Sequence, residues 1–379
     1  MTPPDSVSPR MSRTRTAATV IAVTVLLFVV VEGLASVIFS VNALMFGRVE
    51  FMAEERSHTE YDPMLGWVNR KNLYVPNMYG SGVYFRSNAQ RLRANRNYTP
   101  EVPAGKTRVI CSGDSFAMGH SVSNDEAWCA RLEAMDSRIE SVNMGEAAYG
   151  LDQAFLWYRR DGGSLRHDAL LFSMITSDFA RVQADNYGGY PKPYLRVRQG
   201  ALVVENTPVP RRVGALVRTA RMRAAANDLR IVQIGLALVR RLGLGGEPKP
   251  ERQALTVDQA RAVIAKIFED LKQLNSERGS TLVLVYLPKS GDSDNRTADQ
   301  WRTFVAEQAK RLNIPFVDLV VDFRKLPISE GEELFVRPYF PSHYNPRGNE
   351  WVAELLHERL LQIPSLRDRI TRSAAIRAQ

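Results

Sequence analysis

Cysteine and histidine are scarce in this chain of 379 residues, which has two of the first and five of the second. None of them cluster at metal-ligand spacing, so a zinc-like site is excluded. Aromatic residues are not interleaved with basic ones, and a single-strand nucleic-acid groove is therefore unsupported. The basic excess is 50 Lys and Arg against 41 Asp and Glu, a net charge of +9. Part of it has an obvious place: Arg10, Arg13 and Arg15 precede an apolar run, and a second basic cluster lies between Arg211 and Arg241. Against these absences stand 45% hydrophobic and 24% charged residues. That balance predicts a globular body with a sizeable core, in one large domain or two modest ones.

The first apolar run, "AATVIAVTVLLFVVV", extends from Ala17 to Val31 without a charge and resumes after Glu32 as "GLASVIF". Together these make about 23 residues, enough to cross a bilayer as a helix. The arginines lie before the run, which keeps the N-terminus cytoplasmic and exports the chain beyond residue 40. The expectation is a single-pass inner-membrane protein with a periplasmic body. Glu32 is tolerable toward one end of the span, where it reaches the interface. A cleaved signal is the rival, because Gly33-Leu34-Ala35 offers small residues to a signal peptidase. The anchor is preferred because the apolar run continues past that point, and both readings export the body. Cys111 and Cys129 fit an oxidising compartment without demanding a bridge, and they read best as buried thiols serving as small hydrophobes.

Domain boundaries can be drawn from composition. Residues 1–16 form a cytoplasmic basic tail, 17–39 the anchor and 40–104 a connector or lid. Phrases such as "YDPMLGW" and "KNLYVPN" in the connector read as turns and short strands. From 105 to 365 strand and helix patterns alternate, which predicts a parallel sheet of about five strands with helices on both faces. An insertion at 181–255 interrupts the alternation. Its first part, "YPKPYLRVRQGALVVENTPVP", looks like a β excursion. Its second, beginning "RRVGALVRTARMRAAANDLR", is a basic amphipathic stretch, read as a packed helix with a solvated face in preference to a membrane-surface helix. Residues 366–379 read as a basic tail.

Ligands collect at the carboxyl ends of strands in an open parallel sheet. There the sequence places Gly113-Asp114-Ser115-Phe116, then "NMGEAAYGLDQ" with Gly145, then Thr176-Ser177-Asp178, and finally "FPSHYNPRGNE" with His343. A serine at a strand-to-helix turn is either an ordinary N-cap or a nucleophile awaiting a base. Asp114 is expected to organise the turn, and Asp178 to cap the next helix. Of the five histidines, His58 lies in the connector, His120 on the outgoing loop, His167 at the opposite sheet edge and His357 inside the last helix. His120 is expected to be exposed. Only His343 occupies a strand-end loop.

These segments, in this order, resemble the SGNH/GDSL hydrolase family. The resemblance spans about residues 105 to 362, two-thirds of the chain, and implies a flavodoxin-like three-layer α/β fold. It implies Ser115 as nucleophile, His343 as general base, and Gly145 and Ser177 at the oxyanion positions, with no metal and no cofactor. Ser177 stands where the family has asparagine. The family's orienting aspartate is absent as well, because Phe340 and Pro341 occupy its place; Glu332 and Glu333 are the local acid candidates. The resemblance implies an esterase of O-acyl, above all O-acetyl, bonds on surface polysaccharide. A surface-glycan acyltransferase and a weakened glycan-binding protein remain as alternatives.

Overall fold

The structure is a computed structural model that describes residues 13–46, 58–187, 190–210, 254–336 and 343–377. The chain divides into two compact units, Met1–Val49 with Val213–Lys249 and Glu50–Arg212 with Pro250–Gln379. The described part of the first is one helix, α1 (Arg13–Phe46), whose segment Arg15–Ala35 is long and apolar enough to cross a membrane. A signal sequence meets the same criteria.

The second unit is built on a five-stranded sheet. Its strands are β1 (Thr107–Gly113), β2 (Ile139–Gly145), β3 (Ala169–Met174), β4 (Thr281–Tyr286) and β5 (Phe316–Asp318). They lie in the order β5-β4-β3-β1-β2 and every pairing is parallel. This is the doubly wound order of flavodoxin-like folds, as the sequence led us to expect. The helices between them are α2 (Ser115–Met118), α3 (Trp128–Met135), α4 (Leu151–Asp161), α5 (Thr176–Gln183), α6 (Val257–Glu277) and α7 (Asp299–Leu312). After β5 come α8 (Leu319–Phe323), α9 (Ile328–Glu332), α10 (Pro346–Gln362) and α11 (Pro364–Arg377).

Successive strand residues point to opposite faces, and both faces are covered. Leu282, Leu284 and Tyr286 pack with Phe155 of α4, Phe268 of α6 and Trp301 of α7. Val283 and Val285 pack with Leu132 of α3 and with Leu356 and Leu360 of α10. Burial on both sides is why these strands read as continuous apolar runs.

Four expectations need correction. "PFVDLVV" is a strand only as far as Asp318, because that carboxylate accepts from the Val320 N–H at 3.1 Å and starts α8. The tail after 365 is helical, as α11, because Leu366 and Ile370, one helical turn apart, are buried in the second core cluster. The connector is less a lid than part of the body. Leu65, Val68 and Leu92 join the main core, and two short antiparallel hairpins run through it. The cysteines are not free thiols. Cys111 of β1 and Cys129 of α3 form a disulfide, their Cα atoms 6.2 Å apart, because strand and helix pack directly against each other there. Tyr194–Arg198 and Ala201–Glu205 form the expected β excursion; the basic amphipathic stretch lies outside the described residues.

The bridge closes a loop with a sequence separation of 18, for which chain entropy gives about 3 kcal/mol. Replacing both cysteines with alanine is therefore expected to lower the thermal midpoint by several degrees. An unchanged midpoint in a scanning calorimeter would remove the bridge from the stability of this fold.

Candidate active site

Strand β1 delivers its chemistry through a tight turn. Asp114, the N-cap of α2, accepts from the Phe116 N–H with Oδ1 at 2.8 Å. The capping task therefore falls to Asp114, and Ser115 is released from it. Helix α2 lasts one turn and stops at Gly119, whose φ of 85° is in the left-handed region that glycine favours. His343 arrives from the loop before α10, where Asn345 caps the Gly348 N–H at 2.9 Å and Pro346 takes the first helical position. The Nε2 of His343 lies 2.8 Å from Ser115 Oγ. Both residues are buried, and 228 positions of sequence separate them.

Trp128 ties the two halves together. Its backbone N–H donates to Asn349 Oδ1 of α10 at 3.0 Å, and its indole N–H to the Phe116 carbonyl at 2.8 Å. The connector braces the same rim. Arg93 donates to the Met118 carbonyl at 2.9 Å and to those of Gly119 and Val122, closing the C-terminal end of α2. Burial lowers the pKa of this arginine. Trp67 donates through Nε1 to the Ala147 carbonyl at 3.0 Å, on the loop after β2. None of these braces was legible in the sequence, since each joins segments with no shared periodicity.

Gly145 ends β2 against the nucleophile's helix. A Cβ built on it would lie 2.2 Å from the Met118 nitrogen and 2.6 Å from the Ala117 carbonyl carbon. Its N–H donates to Asn143 Oδ1 at 3.0 Å, and Asn143 Nδ2 donates in turn to the Ala117 and Met118 carbonyls, both at 3.1 Å. The glycine therefore serves close packing, and its N–H is already engaged. Ser177 is half-buried in the first turn of α5. Asp178 caps that helix as expected, accepting from the Ile175 N–H at 2.9 Å. Burial first, and then the nearby Asp114 charge, push its carboxyl well above the usual range.

His120 departs most from expectation. It is buried, with its ring 4.2 Å from that of His343 and 4.5 Å from that of Tyr79. The left-handed Gly119 reverses the chain, and the His120 N–H donates to the Ser115 carbonyl at 3.0 Å. A glycine one turn after the serine was the available signal. His58 is also buried, 3.6 Å from Glu146 on the loop after β2. His167 pairs with the Tyr158 hydroxyl at 2.8 Å and His357 with Asp136 at 3.1 Å, both removed from Ser115. Of the acid candidates, Glu332 accepts from the Ser290 hydroxyl at 2.7 Å and the Gly291 N–H at 2.9 Å, and Glu333 pairs with Arg347 at 2.9 Å. Phe340 and Pro341 lie outside the described residues. Among those described, no group of three or more His, Cys, Asp or Glu could hold a metal ion.

No family model matches the sequence, and no curated protein matches it. Solved structures do. A member of the lipolytic protein G-D-S-L family from Veillonella parvula is 11% identical, with a TM-score of 0.38 over 68% of this chain and 97% of its own. An acetyl xylan esterase is 12% identical, with a TM-score of 0.40 over 66% and 98%. An alpha/beta hydrolase enzyme from the metagenome of Lake Arreo, Spain, is 12% identical, with a TM-score of 0.40 over 68% and 96%. The solved structures similar to this chain thus include a member of the G-D-S-L lipolytic family, whose motifs its strand ends resemble.

Proposed function

We propose that this protein is an exported, membrane-anchored serine esterase that cleaves O-acyl esters, with O-acetyl groups on surface polysaccharide as the substrate class. The observation that carries the reading is the 2.8 Å contact between Ser115 Oγ and His343 Nε2 at the carboxyl rim of a parallel sheet. A serine hydroxyl is a poor nucleophile until a base at this distance takes its proton. In the first half-reaction Ser115 Oγ bonds to the ester carbonyl carbon while its proton passes to His343. The tetrahedral intermediate collapses, the C–O bond to the sugar breaks, and His343 returns the proton to the departing oxygen. Water, deprotonated by His343, then attacks the acyl carbonyl carbon; the bond to Ser115 Oγ breaks, and His343 returns the proton to that oxygen.

The developing oxyanion needs donors. With the Gly145 N–H engaged by Asn143, we assign this role to the Ser177 hydroxyl and to the Ser115 N–H at the start of α2, where the Asp114 cap serves Phe116 instead. Loss of one such donor typically lowers turnover about 100-fold or more. Ser177→Ala is accordingly expected to lower kcat far more than KM, and a change confined to KM would remove Ser177 from the role.

Export is supported by the apolar helix α1 and by the buried Cys111–Cys129 disulfide, a bond that persists in oxidising compartments. The test is to incubate the full-length protein in mild detergent with a fluorophosphonate probe and, separately, with acetylated polysaccharide. Covalent labelling and released acetate are expected. A folded protein that does neither would overturn the esterase reading. The engagement of Glu332 and Glu333 elsewhere favours the second reading, a glycan-binding protein on the same fold, which would bind the polysaccharide without acyl turnover. Acetate delivered to a sugar acceptor in place of water would mark a transferase.

A further inference from the structure

Arg181, on α5, belongs to no motif singled out in the sequence. Its side chain is largely buried, and one nitrogen, Nη1, reaches two strand-end loops as well as a carboxylate one turn back on its own helix. It donates to Asp114 Oδ2 at 2.9 Å, in the turn after β1. It donates to Asp178 Oδ1 at 2.7 Å, in the helix after β3. It also donates to the Tyr149 carbonyl at 3.1 Å, in the loop after β2. Its backbone is fixed too, because the Arg181 carbonyl accepts from the buried Lys192 Nζ at 3.2 Å and that amine pairs with Asp152. Burial opposes the guanidinium charge, but the two carboxylates outweigh it and hold the group protonated.

Asp114 makes this more than a brace. Its Oδ1 caps Phe116, while Oδ2 lies 3.5 Å from Ser115 Oγ. The serine proton therefore has two possible acceptors, His343 at 2.8 Å and Asp114 at 3.5 Å. A buried carboxylate oxygen without another donor would compete strongly, because an unsatisfied charge in low dielectric is costly.

We propose that Arg181 is a positioning residue of the hydrolase site, occupying Asp114 Oδ2 so that the Ser115 hydroxyl donates to His343, and holding the turns after β1 and β2 in register with α5. The inference rests on the serine-esterase reading above. It involves no contact of Arg181 with substrate. Removing the guanidinium redirects the serine proton to Asp114 and lets the turn shift. A misplacement of about 1 Å near reacting atoms can lower rates about 100-fold.

The test uses the full-length protein in detergent, with p-nitrophenyl acetate turnover and the second-order rate of fluorophosphonate labelling as readouts. Arg181→Met, verified as folded by its melting curve, is expected to lose about 100-fold in kcat with KM within about threefold. Arg181→Lys keeps the charge but lacks the planar fork, and is expected to fall between. The decisive readout is additivity. If Arg181 acts by occupying Asp114 Oδ2, Arg181→Met slows labelling far less in an Asp114→Asn background than in the wild type. A folded Arg181→Met with kcat near wild type would overturn the proposal, as would an equal loss in both backgrounds. Should Arg181→Met not fold, Arg181→Lys decides, and wild-type kcat there overturns it. Wild-type protein that neither labels nor hydrolyses fails the underlying reading itself, and the proposal falls with it.

Discussion

Ser115→Ala is expected to abolish fluorophosphonate labelling and to lower ester turnover by about 10⁴- to 10⁶-fold, while the fold survives. The size of the loss comes from the chemistry. When nucleophile and base act as one unit, removing either removes the covalent route entirely, and only binding and oxyanion stabilisation are left. The fold survives because the change deletes one oxygen. Its described side-chain contacts are His343 Nε2 at 2.8 Å and Asp114 Oδ2 at 3.5 Å, and Asp114 rather than Ser115 caps α2. A hydrogen bond of this kind contributes about 1 kcal/mol net, so the melting midpoint should move by no more than a few degrees. His343→Ala should match the activity loss, because Ser115 without a base is an ordinary alcohol. Its stability cost should be larger, since the imidazole packs between the Phe116 and His120 rings at 4.9 and 4.2 Å. Turnover within tenfold of wild type in Ser115→Ala would sink the nucleophile assignment.

Gly145→Ala is expected to be the most damaging single-methyl change in the sheet. The added carbon would sit 2.2 Å from the Met118 nitrogen, 2.6 Å from the Ala117 carbonyl carbon and 2.7 Å from the Met118 Cα. These are backbone atoms of the helix that carries Ser115, so no flexible side chain can swing aside. Asn143 closes the remaining escape, since its amide holds the Ala117 and Met118 carbonyls at 3.1 Å. Overpacking of a well-packed core costs about 1–3 kcal/mol and occasionally more, and this site belongs at the upper end. The methyl can be accommodated only if α2 moves outward, taking Ser115 with it. The variant should therefore melt at least several degrees lower and lose about 100-fold in kcat even where it remains folded. The N–H itself is unchanged by the substitution. A stable variant with full activity would show that the helix is free to shift and that the contact does not position the nucleophile.

The candidate site was legible to different degrees for different residues. Ser115 and His343 announce themselves because each stands where an apolar run stops and capping residues start a helix, Gly-Asp-Ser in one case and Asn-Pro in the other. The surroundings of Gly145 and Cys111 are illegible in the sequence for one reason. A glycine at a turn and a cysteine in a strand look alike whether they face solvent, a sulfur or another backbone, and only the neighbour decides. For His120 the one signal is Gly119, and a glycine permits a left-handed reversal without requiring it, so its burial is decided by the packing of Tyr79 and His343. Arg181 left no trace, since one arginine on a polar-looking helix is the ordinary composition of a surface.

By itself the sequence determined the order of strands and helices, the burial of the sheet on both faces and the chemistry delivered to the carboxyl ends of its strands. These depend on local periodicity and capping, which are written within a dozen consecutive residues. The tertiary structure alone decided which of those groups touch. The Trp128–Asn349 link, the Arg93 brace, the Cys111–Cys129 bridge and the Arg181 junction all join side chains from separate elements. Their meeting is set by how helices pack on a twisted sheet, and packing of that kind depends on shape and distance in three dimensions, for which the linear chain carries no periodic sign.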